Sequence, residues 1–293
     1  MKRNLTATLV AIAVLVIVLS MASAGLSQGA ASPHEQATPA ATVQGAVIGG
    51  TNGPTPYISP STCGQAKIYL GDAGHFVVLA GTTVTNTLMT VVHGNLGLSP
   101  GSAVTGFPPG KVTGATDIAN KAAANAQLAL VKAYNTGMGR TNCAVSVSGN
   151  IGGRTLGPGL YHSSSSLAIS SGDLTLTAHG HSGAVFVIQV TSKLTVTSGR
   201  HVILAGGAQA SNIYWIVGSS ATLGTTAVVY GNILAHKSIS LATGATLHGR
   251  ALAHIGAVTL EGNKIAAVAI SPGALLVTGS VLTPAPFIAR LIP

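Results

Sequence analysis

The chain has 293 residues, among them 38 Gly, 14 Lys or Arg and only 5 Asp or Glu, for a formal net charge of +9. Charged residues make up 6% of it, against ~25% in an ordinary soluble domain. Hydrophobic residues reach 47% with aromatics at 4%, so the apolar mass is Val, Ala, Leu and Ile. This excludes a charged disordered tail, a collagen and a disulfide-dense miniprotein, and it favours many short strands joined by tight turns.

Lys2 and Arg3 precede the apolar run Leu9 to Leu19, and Ala22-Ser23-Ala24 gives a small-x-small cleavage pattern. The run is about 11 residues, short of the ~20 that span a bilayer. Residues 1–24 are therefore expected to be a cleaved export signal, with an uncleaved anchor as the other reading. Cleavage removes two cations and leaves a net charge of +7. Residues 25–62, rich in Ala, Thr, Gly, Pro and Ser without alternation, read as a flexible linker. The only cysteines are Cys63 and Cys143. After export a disulfide between them would restrict the unfolded chain by ~4 kcal/mol in the entropic account, and two buried thiols are the alternative.

Residues 63–267 carry the body of the fold. Asp117 to Asn135, without Gly or Pro, predicts a helix with Thr116 as N-cap, stopped by Gly137 and Gly139. Its apolar stripe would be Ala123, Ala124, Leu128, Leu130, Val131 and Tyr134. Further along, Gly231-Asn-Ile-Leu-Ala-His236 recurs as Gly249-Arg-Ala-Leu-Ala-His254, and Leu223 precedes Leu241 by the same 18 residues. That period suits one turn of a small β-solenoid with three faces of about six residues. Leu194 and Val196 alternate with Thr195 and Thr197, and Ile239 and Leu241 with Ser238 and Ser240: apolar inward, hydroxyl outward. The step from Val187-Ile188 to Trp215-Ile216 is 28, and Leu241 meets Leu260 only with one inserted residue, so turns of unequal length are expected. Val268 to Pro293 contains Pro272, Pro284 and Pro286 and cannot be a spanning helix; it reads as an end cap or a dimerisation segment.

Several ordered blocks carry a family resemblance. Leu70–Thr87 (LGDAGHFVVLAGTTVTNT), Gly94–Gly110 (GNLGLSPGSAVTGFPPG), Leu156–Tyr161 (LGPGLY), Ala184–Gln189 (AVFVIQ), Gly207–Trp215 (GAQASNIYW) and Gly218–Gly224 (GSSATLG) resemble the microbial ice-binding protein family, as do the Leu-Ala-His turns. The likeness runs over roughly residues 66–265. It implies an all-β solenoid: an irregular, discontinuous right-handed β-helix of triangular section, with one long α-helix packed alongside.

Enzymatic readings find little support. Glu35, Asp72, Asp117, Asp173 and Glu261 are the only acids; with Glu35 in the linker and Asp117 at the helix start, no glycosidase pair or calcium cluster is evident. Gly97-Leu-Ser99-Pro-Gly101 matches a nucleophile elbow, but Pro100 lacks the N–H an oxyanion hole needs. His179-Gly-His181, and His236 with His254 on successive turns about 4.8 Å apart, invite a metal; without carboxylate or Cys beside them no metal or other cofactor is expected. Lys67, Lys111, Arg154, Lys193, Arg200, Lys237 and Arg250 are dispersed without an aromatic platform, which argues against nucleic acid. Weak, salt-dependent attraction to anionic cell-wall polymers fits the charge better.

Outward hydroxyls remain. Solenoid turns stack equivalent residues ~4.8 Å apart, and alternate residues of a strand lie ~6.6–6.8 Å apart, so Thr and Ser would form a flat, rigid array with few ions. Each Thr offers a hydroxyl that holds a water and a methyl that orders one. Candidate ice-binding residues are Thr195, Thr197, Ser219, Thr222, Thr225, Ser240, Thr243 and Thr259, beside inward Leu194, Leu223, Leu241 and Leu260; earlier turns add Thr85, Ser99 and Thr105. The family's binding face varies in composition, so the face used here is open. The expectation is a secreted, non-enzymatic ice-binding protein that restrains ice growth or recrystallisation, extracellular or at the cell surface, with no membrane partner once the signal is cleaved. A secreted or wall-associated solenoid adhesin for glycan or another surface is the alternative.

Overall fold

A computed structural model describes Tyr57–Ile58 and residues 63–267; the stretch read as an export signal, most of that read as a linker and the C-terminal stretch lie outside the described residues. Every strand pairing within it is parallel, and the strands stack into three faces. One face runs Ala144–Ser146, Gly159–Ser163, Phe186–Val190, Ile213–Val217, then the second halves of Val228–Ala235 and Thr246–Ala253, then Phe76–Ala80, Asn95–Leu98 and Thr116–Ile118. The next runs Gly149–Asn150, Leu167–Ile169, Leu194–Val196, Ala221–Leu223, Ile239–Leu241, Val258–Glu261, Thr83–Thr87 and Ala103–Thr105. The third includes Thr155–Leu156, Leu174–Thr177, Val202–Ala205, the first halves of the two eight-residue strands, Lys264–Ala266, Val91–His93 and Lys111–Val112. Tyr57–Ile58, inside the stretch read as linker, pairs with Thr155–Leu156 and extends this third face.

Turn length varies as the sequence suggests. Tyr230 pairs with His248 at a step of 18 and Leu241 with Leu260 at 19, whereas Val187 pairs with Tyr214 at 27, one residue less than the 28 read from the sequence. The stacking order is not the chain order. Lys264–Ala266 pairs with Val91–His93 and Val258–Glu261 with Val84–Thr87, so the first strands after Cys63 continue the stack beyond the last turn. The chain then returns along the solenoid as the helix and begins again at Ala144.

Inward side chains form files of like residues, because in-register parallel pairing puts each apolar residue on the one before it. Leu167, Leu194, Ala221, Ile239, Val258 and Val84 make one such file, and Ile169, Val196, Leu223, Leu241 and Leu260 another, all 0–1% exposed. Trp215, Tyr161 and Phe186 fill the wider turns. Their polar tips are satisfied by the corners: Trp215 Nε1 donates to the Tyr230 carbonyl (3.0 Å) and the Tyr161 hydroxyl to that of Gly157 (2.7 Å).

The helix spans Lys121–Met138, later than predicted at both ends. Thr116–Ile118 forms a strand against Leu96–Leu98, and Asn120 is the N-cap, its side chain accepting from the Ala123 N–H. Gly137 does not stop the helix; it sits inside the last turn because a Cβ there would meet Ile216 at 2.8 Å. Gly139 is the C-cap. The buried stripe is Ala123, Ala126, Gln127, Leu130, Ala133 and Gly137, narrower and smaller than expected, and Leu128 is 71% exposed. Small residues let the helix lie close on Leu79, Val187, Tyr214, Ile216, Leu234 and Leu252 of the first face, here called the covered face. Gln189 ties off its end, Nε2 donating to the carbonyls of Gly137 (2.7 Å) and Arg140 (2.8 Å). A disulfide joins Cys63 to Cys143 (Cα–Cα 6.1 Å), linking the strand-free lead-in to the segment after the helix.

Polar ladders mark the corners. Arg250 donates from Nε to the Gly74 carbonyl (3.1 Å) and from a terminal nitrogen to Asn232 Oδ1 (2.9 Å), fastening the 3-10 turn Gly71–His75 to the repeat. Asn263, 2% exposed, donates to the carbonyls of Ala242 (2.8 Å) and Ala245 (3.1 Å). On the third face His248 stacks on Tyr230 with ring centroids 4.6 Å apart. Its Nδ1 is buried without a hydrogen-bond partner, and burial, helped by Lys264, holds its pKa below the usual imidazole value.

Two outcomes follow from this packing. A Cβ on Gly249 would sit 1.8 Å from the Gly231 carbonyl oxygen, whereas one on Gly183 meets nothing within 4 Å. Gly249→Ala should therefore lower the unfolding free energy by at least ~2 kcal/mol in urea melts, and Gly183→Ala should stay within about 0.5 kcal/mol of wild type. Because the fold favours neutral His248 while the unfolded chain takes up its proton near pH ~6.5, stability should hold above that pH and fall as pH drops below it. His248→Gln should flatten that slope in thermal melts between pH 7.5 and 5.

Candidate functional site

The second face carries the hydroxyls. Ala168, Thr195, Thr222, Ser240, Thr259, Thr85 and Thr105 pair in consecutive register, so six hydroxyl residues stand in one straight file. At the ~4.8 Å strand spacing the file is about 24 Å long. Five of the six sit within a short strand between two inward-pointing neighbours, as Thr222 does between Ala221 and Leu223, and Thr105 ends its strand. Thr222, Thr85 and Thr105 are exposed and the other three half-buried. Among the described residues none of the six hydroxyls bonds to protein, so all are left to solvent.

Files of small residues flank it. On one side lie Ser166, Lys193, Ser220, Ser238, Ala257, Thr83 and Ala103; on the other Ser170, Thr197, Gly224, Ala242, Glu261 and Thr87. Several flanking hydroxyls are held by protein: Thr197 Oγ1 donates to the Ile169 carbonyl (3.2 Å) and Ser238 Oγ accepts from the Ala257 N–H (3.2 Å). Lys193 and Glu261 are the two charged side chains within these three files. The face is therefore low in charge and low in relief, and its strands are stiffened by ladders on both sides.

The remaining candidates fall elsewhere. Thr225 and Thr243 occupy the corner towards the third face, where Thr243 Oγ1 donates to Glu261 Oε2 (3.1 Å). Ser219 is half-buried at the opposite corner, and Ser99, 7% exposed, lies inside that same corner beside Pro100. On most strands of this face alternation holds for only three or four residues before the bend, so a pattern carried further along the sequence points to the corner. Ser220, Thr83 and Thr87 are neighbours of the file that the sequence reading does not single out, and Ser238, read there as outward, stands beside it although it is not among the candidates. Ser220 and Ser238 stand two residues before Thr222 and Ser240, which was a usable signal; Thr83 and Thr87 are brought alongside only by the jump in stacking order.

The third face differs in kind. Its outward files include His201, Val228, Thr246, Lys264, Val91 and Lys111 in one row, and Thr175, Ile203, Tyr230, His248, Ala266 and His93 in the next. Large rings and two lysines make it uneven and cationic. Asp173, its acid, is engaged by the His201 N–H (2.9 Å) and by Arg200 at 3.8 Å.

Elsewhere, Asp72 and Asp117, read as unrelated, line one recess with His75 and Asn125. Asp117 accepts from the Asn120 side chain at 2.7 Å, a local tie at the helix start. Among the described residues no three of His, Cys, Asp or Glu converge as a metal site. No described helix is long and apolar enough to cross a membrane.

Comparison with known proteins places this geometry. The family model for ice-binding-like proteins matches residues 78–266. An ice-binding protein of Nostoc sp. (strain HG1) is 44% identical over 198 residues, covering 67% of this chain and 73% of its own. One from Flavobacterium frigoris (strain PS1) is 34% identical, covering 71% and 79%. The crystal structure of an ice-binding protein from an Antarctic biological consortium superposes with a TM-score of 0.69 at 52% identity, covering 74% of this chain and 96% of that one. A match spanning nearly the whole described solenoid, with relatives this similar over two thirds of the sequence, means that the chain belongs to the ice-binding-like protein family.

Proposed function

We propose that this protein is secreted, adsorbs to ice through the hydroxyl face and thereby restrains ice growth or recrystallisation, without catalysis. The file Thr195, Thr222, Ser240, Thr259, Thr85 and Thr105 is the observation that carries the reading. Ice offers a fixed lattice of water, and a repeated row of hydroxyls and methyls engages it through many weak contacts at once. Rigidity matters because little side-chain freedom is lost on binding: Thr has few rotamers and its strand is fixed by ladders. Scarcity of charge matters because strongly hydrated ions hold their own water shells against the lattice. The covered face lies under the helix, and the third face presents lysines and rings.

Purified protein should shape ice crystals, show thermal hysteresis and slow recrystallisation in a cooled nanolitre stage. Smooth, unshaped crystals with no hysteresis and no slowing would reject ice binding and favour an adhesin. Thr222→Tyr should remove more than half of the hysteresis while changing stability by no more than ~1 kcal/mol, since a ring there lifts the flat surface away. Thr246→Tyr, on the third face, should leave it intact; the reverse result would move the site to that face.

A further test uses the stacking order. Thr85 stands three turns from Thr222 in the same file, about 14 Å away. Thr85→Tyr should therefore reduce hysteresis as Thr222→Tyr does. Full activity of Thr85→Tyr would confine the binding surface to the C-terminal turns.

A further inference from the structure

Two imidazoles leave the solenoid side by side at the corner between the covered face and the hydroxyl face. His236 follows Ala235 and His254 follows Ala253, and Ala235 pairs with Ala253 in the parallel ladder. Their ring centroids are 5.6 Å apart with the planes tilted by 53°, unlike the flat stack of Tyr230 on His248. An imidazole bound through one nitrogen at ~2.0–2.1 Å holds its centroid about 3.2 Å from the metal, so two rings sharing an ion have centroids from about 5.2 Å apart at the tetrahedral angle to about 6.4 Å when they face each other across it. The observed 5.6 Å falls inside that range, nearer its tetrahedral end.

The nitrogens are also available. Among the described residues neither ring makes a hydrogen bond or ion pair, whereas His162 Nδ1 meets Gln189 Oε1 at 3.0 Å and His201 lies against Asp173. Tyr134 of the helix covers one side, 5.8 Å from His236. On the other, His254 lines a recess of about 180 Å³ with Gly81, Thr82, Ser99 and Gln127. Gln127 is 8% exposed; its Nε2 donates to the Ala253 carbonyl (3.1 Å) and its Oε1 is a buried acceptor with no partner.

We propose that His236 and His254 chelate one divalent transition-metal ion of the imidazole-preferring class, Cu²⁺, Ni²⁺ or Zn²⁺, with water completing its coordination. This departs from the expectation that no metal is held. Two neutral nitrogen ligands without a carboxylate select against the hard ions Mg²⁺ and Ca²⁺, and the divalent series should follow Cu²⁺ above Ni²⁺ and Zn²⁺. The ion clips two successive turns at the rim that leads into Ser240 and Thr259. Neither the ligands nor the test depends on ice binding.

The experiment is calorimetric titration of the full chain, carrying no polyhistidine tag, with ZnCl₂, NiCl₂ and MgCl₂, alongside thermal melts. One equivalent of Zn²⁺ should bind wild type at least ten times more tightly than either His236→Gln or His254→Gln. Saturating Zn²⁺ should raise the wild-type melting temperature and leave both variants unmoved, because an ion that binds only the native state stabilises it by mass action. Two separate variants guard against one misfolding, and metal-free melts check each. Equal titration of wild type and both variants overturns the proposal. So does loss of binding in a His179→Gln, His181→Gln double variant instead, or binding of Mg²⁺ as tight as that of Zn²⁺.

Discussion

In-register parallel hydrogen bonding between turns is the constraint on which the rest of the molecule depends. It fixes the distance from one turn to the next and sets like residue on like, so one alternation repeated in each turn becomes a file running across the turns. Inward, the files are Leu, Ile and Val and make a core without large rings in the short turns. Outward, the same rule lines up six hydroxyl residues from six separate strands. A slip of one residue in any turn would bury a Thr and expose a Leu, so the pattern that builds the core also holds the surface in place.

The three faces answer to different demands. One is covered by a helix whose contact stripe is nearly all small residues, which brings it close enough for Gln127 to reach the Ala253 carbonyl and Gln189 to hold its last turn. One is uneven, with stacked Tyr230 and His248 in one row and two lysines, Lys264 and Lys111, in the row beside it. The remaining face has almost no charge and mostly small side chains. Corners are where polar groups enter the interior, and there Asn232, Arg250 and Asn263 answer backbone carbonyls that the bends would leave unpaired.

Much of this was legible in the sequence. The 18-residue recurrence between Gly231 and Gly249 is a direct image of one turn, and the pairing of Leu223 with Leu241 follows it. What stayed hidden has physical reasons. Thr116 and Asp117 look like a helix start, but strand pairing with Leu96 and Gly97 outweighs that local preference and moves the cap to Asn120. Gly137 looks like a stop, yet close packing on Ile216 requires a residue without Cβ inside the helix. Thr225 and Thr243 alternate correctly with their neighbours, but the chain has already bent at Gly224 and Ala242. No local signal reports a bend of that kind, because both sides of it are β-like. Likewise Thr85 and Thr259, 174 positions apart in the chain, become adjacent only through a stacking order that repeats in sequence do not encode.

That stacking order has a consequence for biogenesis. The strands from Phe76 to Ile118 leave the ribosome early, yet the edge they dock on, Ala251–Ala266, is the last of the described solenoid to be made. A chain of this design carries its opening segment unpaired through synthesis, with bare strand edges and a high loop-closure cost until the final turns arrive. Passage across a membrane in an unfolded state suits such an architecture, since nothing is gained by folding early. Docking then pairs the early-made strands with the last-made ones, and only at that moment does the outward row extend to its full length.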